Sequence, residues 1–295
     1  MRISSLLGGE KPCLSFEVFP PKKAENYDKI TGAALSVASI GAQGGGLAMP
    51  RPGFVSVTYG AGGTSDSYTL AVAQEIQRTG LPALAHLTCV GASRQDIPAR
   101  LRALQEAGIE NVLALRGDYP EGQEKQPGGY AYAADLIQEI VRFGGFCVGA
   151  ACYPEGHVEC ESPALDRLHL KQKVDAGADF LVTQMCFDND LLFKFAYQLR
   201  ELGVNVPLVA GIMPVTNGRQ IERICRISGA HLPARFLSIL DKYGSSPPAM
   251  RQAGIVYACE QIIGLLADGW NAVHVYSMNK PDVAGAIWDN LKELL

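Results

Sequence analysis

Asn111-Val112-Leu113-Ala114-Leu115-Arg116-Gly117-Asp118 is the stretch from which the rest of the chain is read. A short apolar strand stops on an Arg-Gly-Asp turn, and a loop rich in proline and glycine follows from Tyr119 to Gly129. A strand needs no charged pair at its end, and glycine between two charges lets the backbone approach a ligand closely. A capping salt bridge would leave the same residues, so the flanking sequence decides. Before the strand, Gln95 to Ala107 has helical periodicity and stops at Gly108; after the loop, Tyr132 to Arg142 is helical again.

That helix–strand–helix unit recurs. Strand-type runs cover Cys13 to Phe19, Phe54 to Thr58, Ala83 to Thr88, Asn111 to Leu115, Phe146 to Ala151, Phe180 to Gln184, Leu208 to Ile212 and Ala272 to Tyr276. Helical patterns occupy Glu25 to Ile40, Ser67 to Arg78, Gln95 to Ala107, Tyr132 to Arg142, Ala164 to Ala176, Asp190 to Leu202, Gly218 to Ile227 and Val283 to Leu294. An extra helical segment, Ala234 to Ala267, precedes the last strand. Strands joined by crossover helices are parallel, and eight units in alternation favour an α/β fold of the closed (β/α)8 TIM barrel kind. A doubly wound open sheet shares the alternation. No Gly-x-Gly-x-x-Gly follows the first strand, where an open nucleotide-binding sheet would carry one. The expectation is one barrel domain over residues 1–295, with no C-terminal regulatory domain.

Composition bounds the rest. With 295 residues, 47% hydrophobic and 19% charged, the chain can bury one large core. A net charge of −4 and no basic run argue against nucleic acid as a partner. The apolar part of Met1 to Gly8 is too short for a signal peptide or a membrane span, so the expected setting is cytoplasmic. The 8 cysteines form no Cys-x-x-Cys pair and read as reduced structural thiols. Cys152, His157 and Cys160, with Glu155 and Glu159 nearby, fit no common zinc spacing.

In a barrel the active site is built at the C-terminal strand ends. Those ends carry Glu17, Thr58 with Tyr59, His86 with Thr88, Arg116 with Asp118, Tyr153, Gln184, Pro214 with Asn217, and Tyr276. Each has a bland explanation alone; converging on one rim, they read as one binding site. In Ser15-Phe16-Glu17-Val18-Phe19-Pro20-Pro21, alternation puts Ser15, Glu17 and Phe19 on one face. A carboxylate flanked by aromatic residues on a barrel strand is costly to keep ionised, which suits a general acid; an ion pair with Lys22 or Lys173 would serve structure instead. Tyr59-Gly60-Ala61-Gly62-Gly63-Thr64-Ser65 offers backbone N–H groups to a phosphate but lacks the ending of a P-loop. Gly44-Gly45-Gly46 reads as a surface loop.

Eight ordered segments carry a resemblance spanning essentially the whole chain: Ser15 to Pro21, Val57 to Ala61, His86 to Cys89, Leu115 to Asp118, Ala151 to Glu155, Lys173 to Ala178, Thr183-Gln184, and Gly211 to Val215. On these the chain resembles methylenetetrahydrofolate reductases of the short bacterial type. The resemblance implies a barrel holding FAD at its C-terminal rim, reduced by a nicotinamide donor (NADH or NADPH) and then delivering hydride to methylenetetrahydrofolate to give 5-methyltetrahydrofolate. It implies that Glu17 is the general acid opening the five-membered folate ring, and that Asp118 lies near flavin and pterin. Gln184, Gln220, Lys280 and Thr58 match substrate-contacting positions. Thr58, Tyr59, Ala61, His86, Arg116, Gly117, Asp118, Tyr132, Ala133, Tyr153, His157, Asp166, His169 and Lys173 match cofactor-contacting ones, with Arg116 and Lys173 suited to a pyrophosphate by charge.

Two departures stand out. Lys280 replaces the arginine that relatives use for the folate carboxylates, keeping charge but losing the bidentate fork. Ile224 replaces an aromatic that packs with the nicotinamide donor, and an aliphatic residue cannot stack comparably. Two other readings stay open: a flavin barrel of the proline dehydrogenase kind, and a flavin electron-transfer subunit working only with a partner redox protein. The resemblance also implies a homo-oligomer.

Overall fold

The computed structural model describes residues 1–9, 11–42, 51–59, 66–90, 92–118 and 129–295. Its elements run α1 (Ser4–Leu7), β1 (Cys13–Val18), α2 (Tyr27–Ala38), β2 (Val55–Val57), α3 (Asp66–Arg78), β3 (Ala83–Thr88), α4 (Asp96–Glu106) and β4 (Asn111–Leu115). They continue with α5 (Ala133–Phe143), β5 (Cys147–Cys152), α6 (Pro163–Asp175), β6 (Phe180–Thr183), α7 (Asn189–Glu201), β7 (Leu208–Ile212), α8 (Gly218–Ser228), α9 (Ala234–Tyr243), α10 (Pro247–Ala267), β8 (Ala272–Val275) and α11 (Pro281–Leu291). Neighbouring strands pair in sequence order, and β8 returns to β1, so the sheet is a closed parallel barrel.

Alternation along each strand separates two environments. Leu14, Phe16 and Val18 of β1 join the apolar layer between barrel and helices, while Cys13, Ser15 and Glu17 face the axis. The N-terminal half of the interior is apolar: Phe54, Leu84, Leu113, Phe180 and Val209 pack together, and Ile3 and Leu7 of the α1 segment plug this end. Asn111 ties the plug down, its Oδ1 accepting from the Ile3 N–H at 2.8 Å and its Nδ2 donating to the Met1 carbonyl at 3.1 Å. The C-terminal half is polar, with Ser15, Ser56, His86 and His274 all buried there. The fold therefore stops one end and leaves chemistry at the other.

The expected elements are present, with two differences, one of them the short α1 ahead of β1. The extra segment between the last two strands is two helices rather than one. Gly244 follows α9, and Pro247, lacking an N–H, starts α10 afresh after Ser246. Gly108 and Gly177 end their helices at φ 75° and 112°, as the glycine signals require.

Near the mouth, side chains take over from the ladder between β6 and β7. Pairing there runs through Leu181↔Leu208 and Val182↔Val209. Beyond it the Gly211 N–H donates to Thr183 Oγ1 at 2.8 Å, and the Tyr276 hydroxyl donates to the Thr183 carbonyl at 2.6 Å. A Cβ on Gly211 would lie 2.4 Å from that carbonyl and 2.7 Å from the Tyr276 ring. Gly211→Ala is therefore expected to cost about 2–3 kcal/mol through overpacking, read as a lowered urea midpoint with unchanged slope. Gly32→Ala, in α2 with open space around it, is the control and should be neutral or stabilising.

Candidate functional site

The centre of the mouth is built from β1, β2, β3 and β8. Register sets Glu17 beside Ser56 and Ser15 beside His274. The Ser15 and Ser56 hydroxyls bracket the two ring nitrogens of His274, at 2.7 Å from Nδ1 and 3.0 Å from Nε2, and Phe54 stacks on the ring. One Glu17 carboxylate oxygen lies 3.8 Å from His274 Nε2 and 3.6 Å from His86 Nε2. It is also 3.5 Å from Ser56 Oγ. His86 is buried and its Nε2 has no hydrogen-bond partner. Burial pushes its imidazole down to about 4, against the opposing pull of Glu17. At neutral pH His86 is thus uncharged, and its contact with Glu17 is dipolar rather than an ion pair. Lys22 and Lys173 are not the partners of Glu17; histidines are.

A second group occupies the rim over β4, β5 and the start of α6. Arg116 pairs with Glu159 and donates from Nε to the Gly117 carbonyl at 3.1 Å. Gly117 has φ 84°, and a Cβ there would come within 3.1 Å of Thr88. Asp118 is exposed and acts electrostatically on Arg116 and Tyr153. Tyr153 packs edge-on against His157, and its phenol is pushed up to about 12, first by burial and then by Asp118 and Asp166. Lys173 donates to the Ala151 carbonyl at 2.9 Å; burial lowers its ammonium and Asp166 opposes that. Burial, then Arg116, lowers His157. Two neighbouring cations, Arg116 and Lys173, bordered by the Tyr153 and His157 rings, suit a polyanion carrying a flat ring system.

Cys160 Sγ, an Asp166 oxygen and a His169 nitrogen lie within 4.8 Å of one another at this edge. Cys152 is not among them: its thiol is buried in the apolar layer behind β5. Glu155 is turned away to His231, 2.8 Å from its Nδ1.

Between β7 and β8 lies a third feature, a cavity of ≈ 210 Å³ lined by Met213, Thr216, Asn217, Gln220, Ile224 and Lys280 among others. The Lys280 ammonium donates to Thr216 Oγ1 at 2.6 Å, so the charge is held at the cavity wall. Gln184 stands at the end of β6, its Oε1 accepting the Met185 N–H at 2.9 Å. Tyr132 and Ala133 begin α5. Tyr59 lies under the Arg100 guanidinium, and the Thr58 carbonyl accepts from Thr69 Oγ1. Ala61, the 59–65 glycine loop beyond Tyr59, the 44–46 loop and the segment 119–128 lie outside the described residues.

Sequence reading missed Ser56 and His274 as immediate neighbours of Glu17. A signal existed, since alternation in Ala272-Val273-His274-Val275-Tyr276 puts His274 on the face shared with Tyr276. Which strand it would meet depended on barrel closure.

Comparisons with known proteins bear on this geometry. A family model described as methylenetetrahydrofolate reductase matches residues 2–292. A Zea mays protein named methylenetetrahydrofolate reductase (NADH) 1 is 34% identical over 98% of this chain and 50% of its own length. An Escherichia coli (strain K12) protein named 5,10-methylenetetrahydrofolate reductase is 32% identical over 94% of this chain and 90% of its own. The chain thus spans about half the length of the plant relatives it matches and about nine-tenths of the bacterial ones. Among solved structures, a Clostridium thermocellum protein described as binding two copies of 5-methyl-5,6,7,8-tetrahydrofolic acid aligns over 100% of both chains. At a TM-score of 0.62 and 14% identity, that match speaks for the barrel fold.

The buried histidine sets a pH dependence. The folded state holds His86 at about 4 against 6.5 when exposed, so between those values the unfolded chain binds more protons. Stability is fully present above about pH 6.5 and declines as pH falls toward 4. That window is worth up to about 3 kcal/mol. Urea unfolding at pH 7 and pH 4.5 should show wild type losing about 2–3 kcal/mol more than His86→Gln; equal losses would refute the neutral buried imidazole.

Proposed function

The chain belongs to the methylenetetrahydrofolate reductase family, and on that premise we propose that it reduces 5,10-methylenetetrahydrofolate to 5-methyltetrahydrofolate with FAD as resident cofactor. The observation carrying this reading is Glu17, a carboxylate inside the barrel mouth beside Ser56, His86 and His274 and next to a binding rim. The names of the plant relatives specify NADH, which makes NADH the first donor to test here and NADPH the second.

The residues present fit FAD. His86 Nε2 is an orphaned buried polar atom at the mouth, and Arg116 and Lys173, close enough to act on each other, would suit a pyrophosphate by charge. Tyr153 and His157 supply ring faces beside them, with Thr58, Tyr59, Gly117, Tyr132, Ala133, Asp166 and His169 on the same C-terminal side of the barrel. When bound, FAD supplies two-electron storage, accepting hydride from the nicotinamide and passing it to the folate.

Everything else is the chain's own work. Glu17 holds the proton that a ring nitrogen of the folate takes up as its five-membered ring opens. His86, uncharged, places no positive charge beside the Glu17 carboxyl group. Asp118 offers negative charge at the rim, favouring cationic character in the opened folate. Gln184 and Gln220 are suited to the polar edge of the substrate, and the Lys280 ammonium in its cavity to the carboxylates of the tail.

Anaerobic stopped-flow tests the proposal. NADH or NADPH should bleach FAD-reconstituted protein, and methylenetetrahydrofolate should restore the colour. Protein that takes up no FAD would refute the cofactor, and reduced protein indifferent to the folate would refute the reaction. Glu17→Gln should slow the folate step by about 10²–10⁴-fold while sparing reduction by the donor; an unaltered folate step would remove Glu17 from its role.

A further inference from the structure

The link from β8 to α11, Tyr276-Ser277-Met278-Asn279-Lys280, has an unusual backbone. Met278 and Asn279, at φ 54° and 52°, are the non-glycine residues at positive φ among the described residues. Asparagine tolerates the left-handed region better than most residues, but methionine does not, so the turn is held by its surroundings.

What holds it is β1. The β1–β8 ladder ends at Phe16↔Val275, and beyond it the loop's side chains replace the missing rungs. Ser277 Oγ donates to the Glu17 carbonyl at 2.7 Å. Asn279 closes a two-way clip on Phe19: its Oδ1 accepts the Phe19 N–H and its Nδ2 donates to the Phe19 carbonyl, both at 2.8 Å. Pro20 and Pro21 follow, so the Phe19 N–H is the last backbone donor available to hold this end of the strand until Lys22. Without the clip, Phe19 would lose its tie to the β8 side, and just past the carboxylate the strand would, among the described residues, be held only from β2, where the Thr58 N–H donates to the Val18 carbonyl at 3.0 Å.

The other side of the same loop faces the cavity between β7 and β8, which Ser277, Met278 and Lys280 help to line. An anion seated on Lys280 therefore acts on a strained turn whose far anchor is the exit of β1. We propose that Asn279 is a positioning residue that couples the seating of an anionic substrate tail on Lys280 to the placement of the Glu17 carboxyl group. The inference rests on the proposed folate reaction and goes beyond it: binding energy from the non-reacting tail is spent on aligning the acid, so the tail raises the limiting rate as well as affinity.

The test uses Asn279→Gly, which permits positive φ without strain while deleting the amide. Reduced FAD-reconstituted enzyme is mixed with methylenetetrahydrofolate or with the analogue lacking the glutamate tail. In wild type the tail should raise the limiting reoxidation rate about 10-fold or more. In Asn279→Gly that gain should vanish, while the tail still lowers the half-saturating concentration and donor reduction stays within about twofold. Amide exchange at Phe19 should quicken in the variant with no substrate present. Asn279→Asp keeps the acceptor but not the donor, and should fall between. A variant that retains the tail's rate gain, or loses donor reduction in parallel, overturns the coupling. Wild type that neither substrate reoxidises overturns the folate reading, and the coupling with it.

Discussion

Cys13 with Ala272, Leu14 with Val273, Ser15 with His274 and Phe16 with Val275 form the seam that closes the sheet, and the site depends on that closure. An open sheet with the same strands would leave β1 and β8 at opposite edges, with Glu17 and His274 far apart. Closure brings together residues separated by most of the chain and shields their shared space from water on every side but one. In that space hydrogen bonds and dipoles act in a low dielectric, where they count for more than they would at an edge.

The interior is graded along its axis. Phe54, Leu84, Leu113 and Phe180 fill the lower layers with help from the α1 plug, and apart from Asn111, which ties that plug down, the buried polar groups facing the axis gather toward the mouth. A buried imidazole with an unpartnered nitrogen, such as His86 Nε2, is unfavourable for folding, and its depressed basicity is the electrostatic sign of that burial. Such a cost is tolerated where function draws on it. The apolar floor beneath, a rigid packed core, makes the strained mouth affordable.

Much of the site could be read from residues alone because chemistry and position coincided. Glu17 was legible from its place on an alternating strand ahead of two prolines, and Arg116 from the glycine that follows it. Lys173 was legible only as a match to a family pattern, since nothing local distinguishes it from other helical lysines such as Lys171. The partners of Glu17 were not legible. Lysines near in sequence or matched by pattern were the obvious candidates, whereas the actual neighbours, His86 and His274, arrive from other strands. The break between α9 and α10 was visible in Gly244 to Pro247, yet the apolar content on either side masked it.

Local order set the number, type and sequence of the elements, because hydrophobic period, helix ends and parallel crossovers are properties of short stretches. It also determined which faces of β1 and β8 are polar, since alternation permits no other choice once a strand forms. Tertiary structure alone decided which polar groups meet: the register across the β1–β8 seam, the neutral His86 beside Glu17, and the Asn279 clip on Phe19. Those contacts join residues far apart along the chain, and their geometry exists only when all eight strands have closed around a common axis.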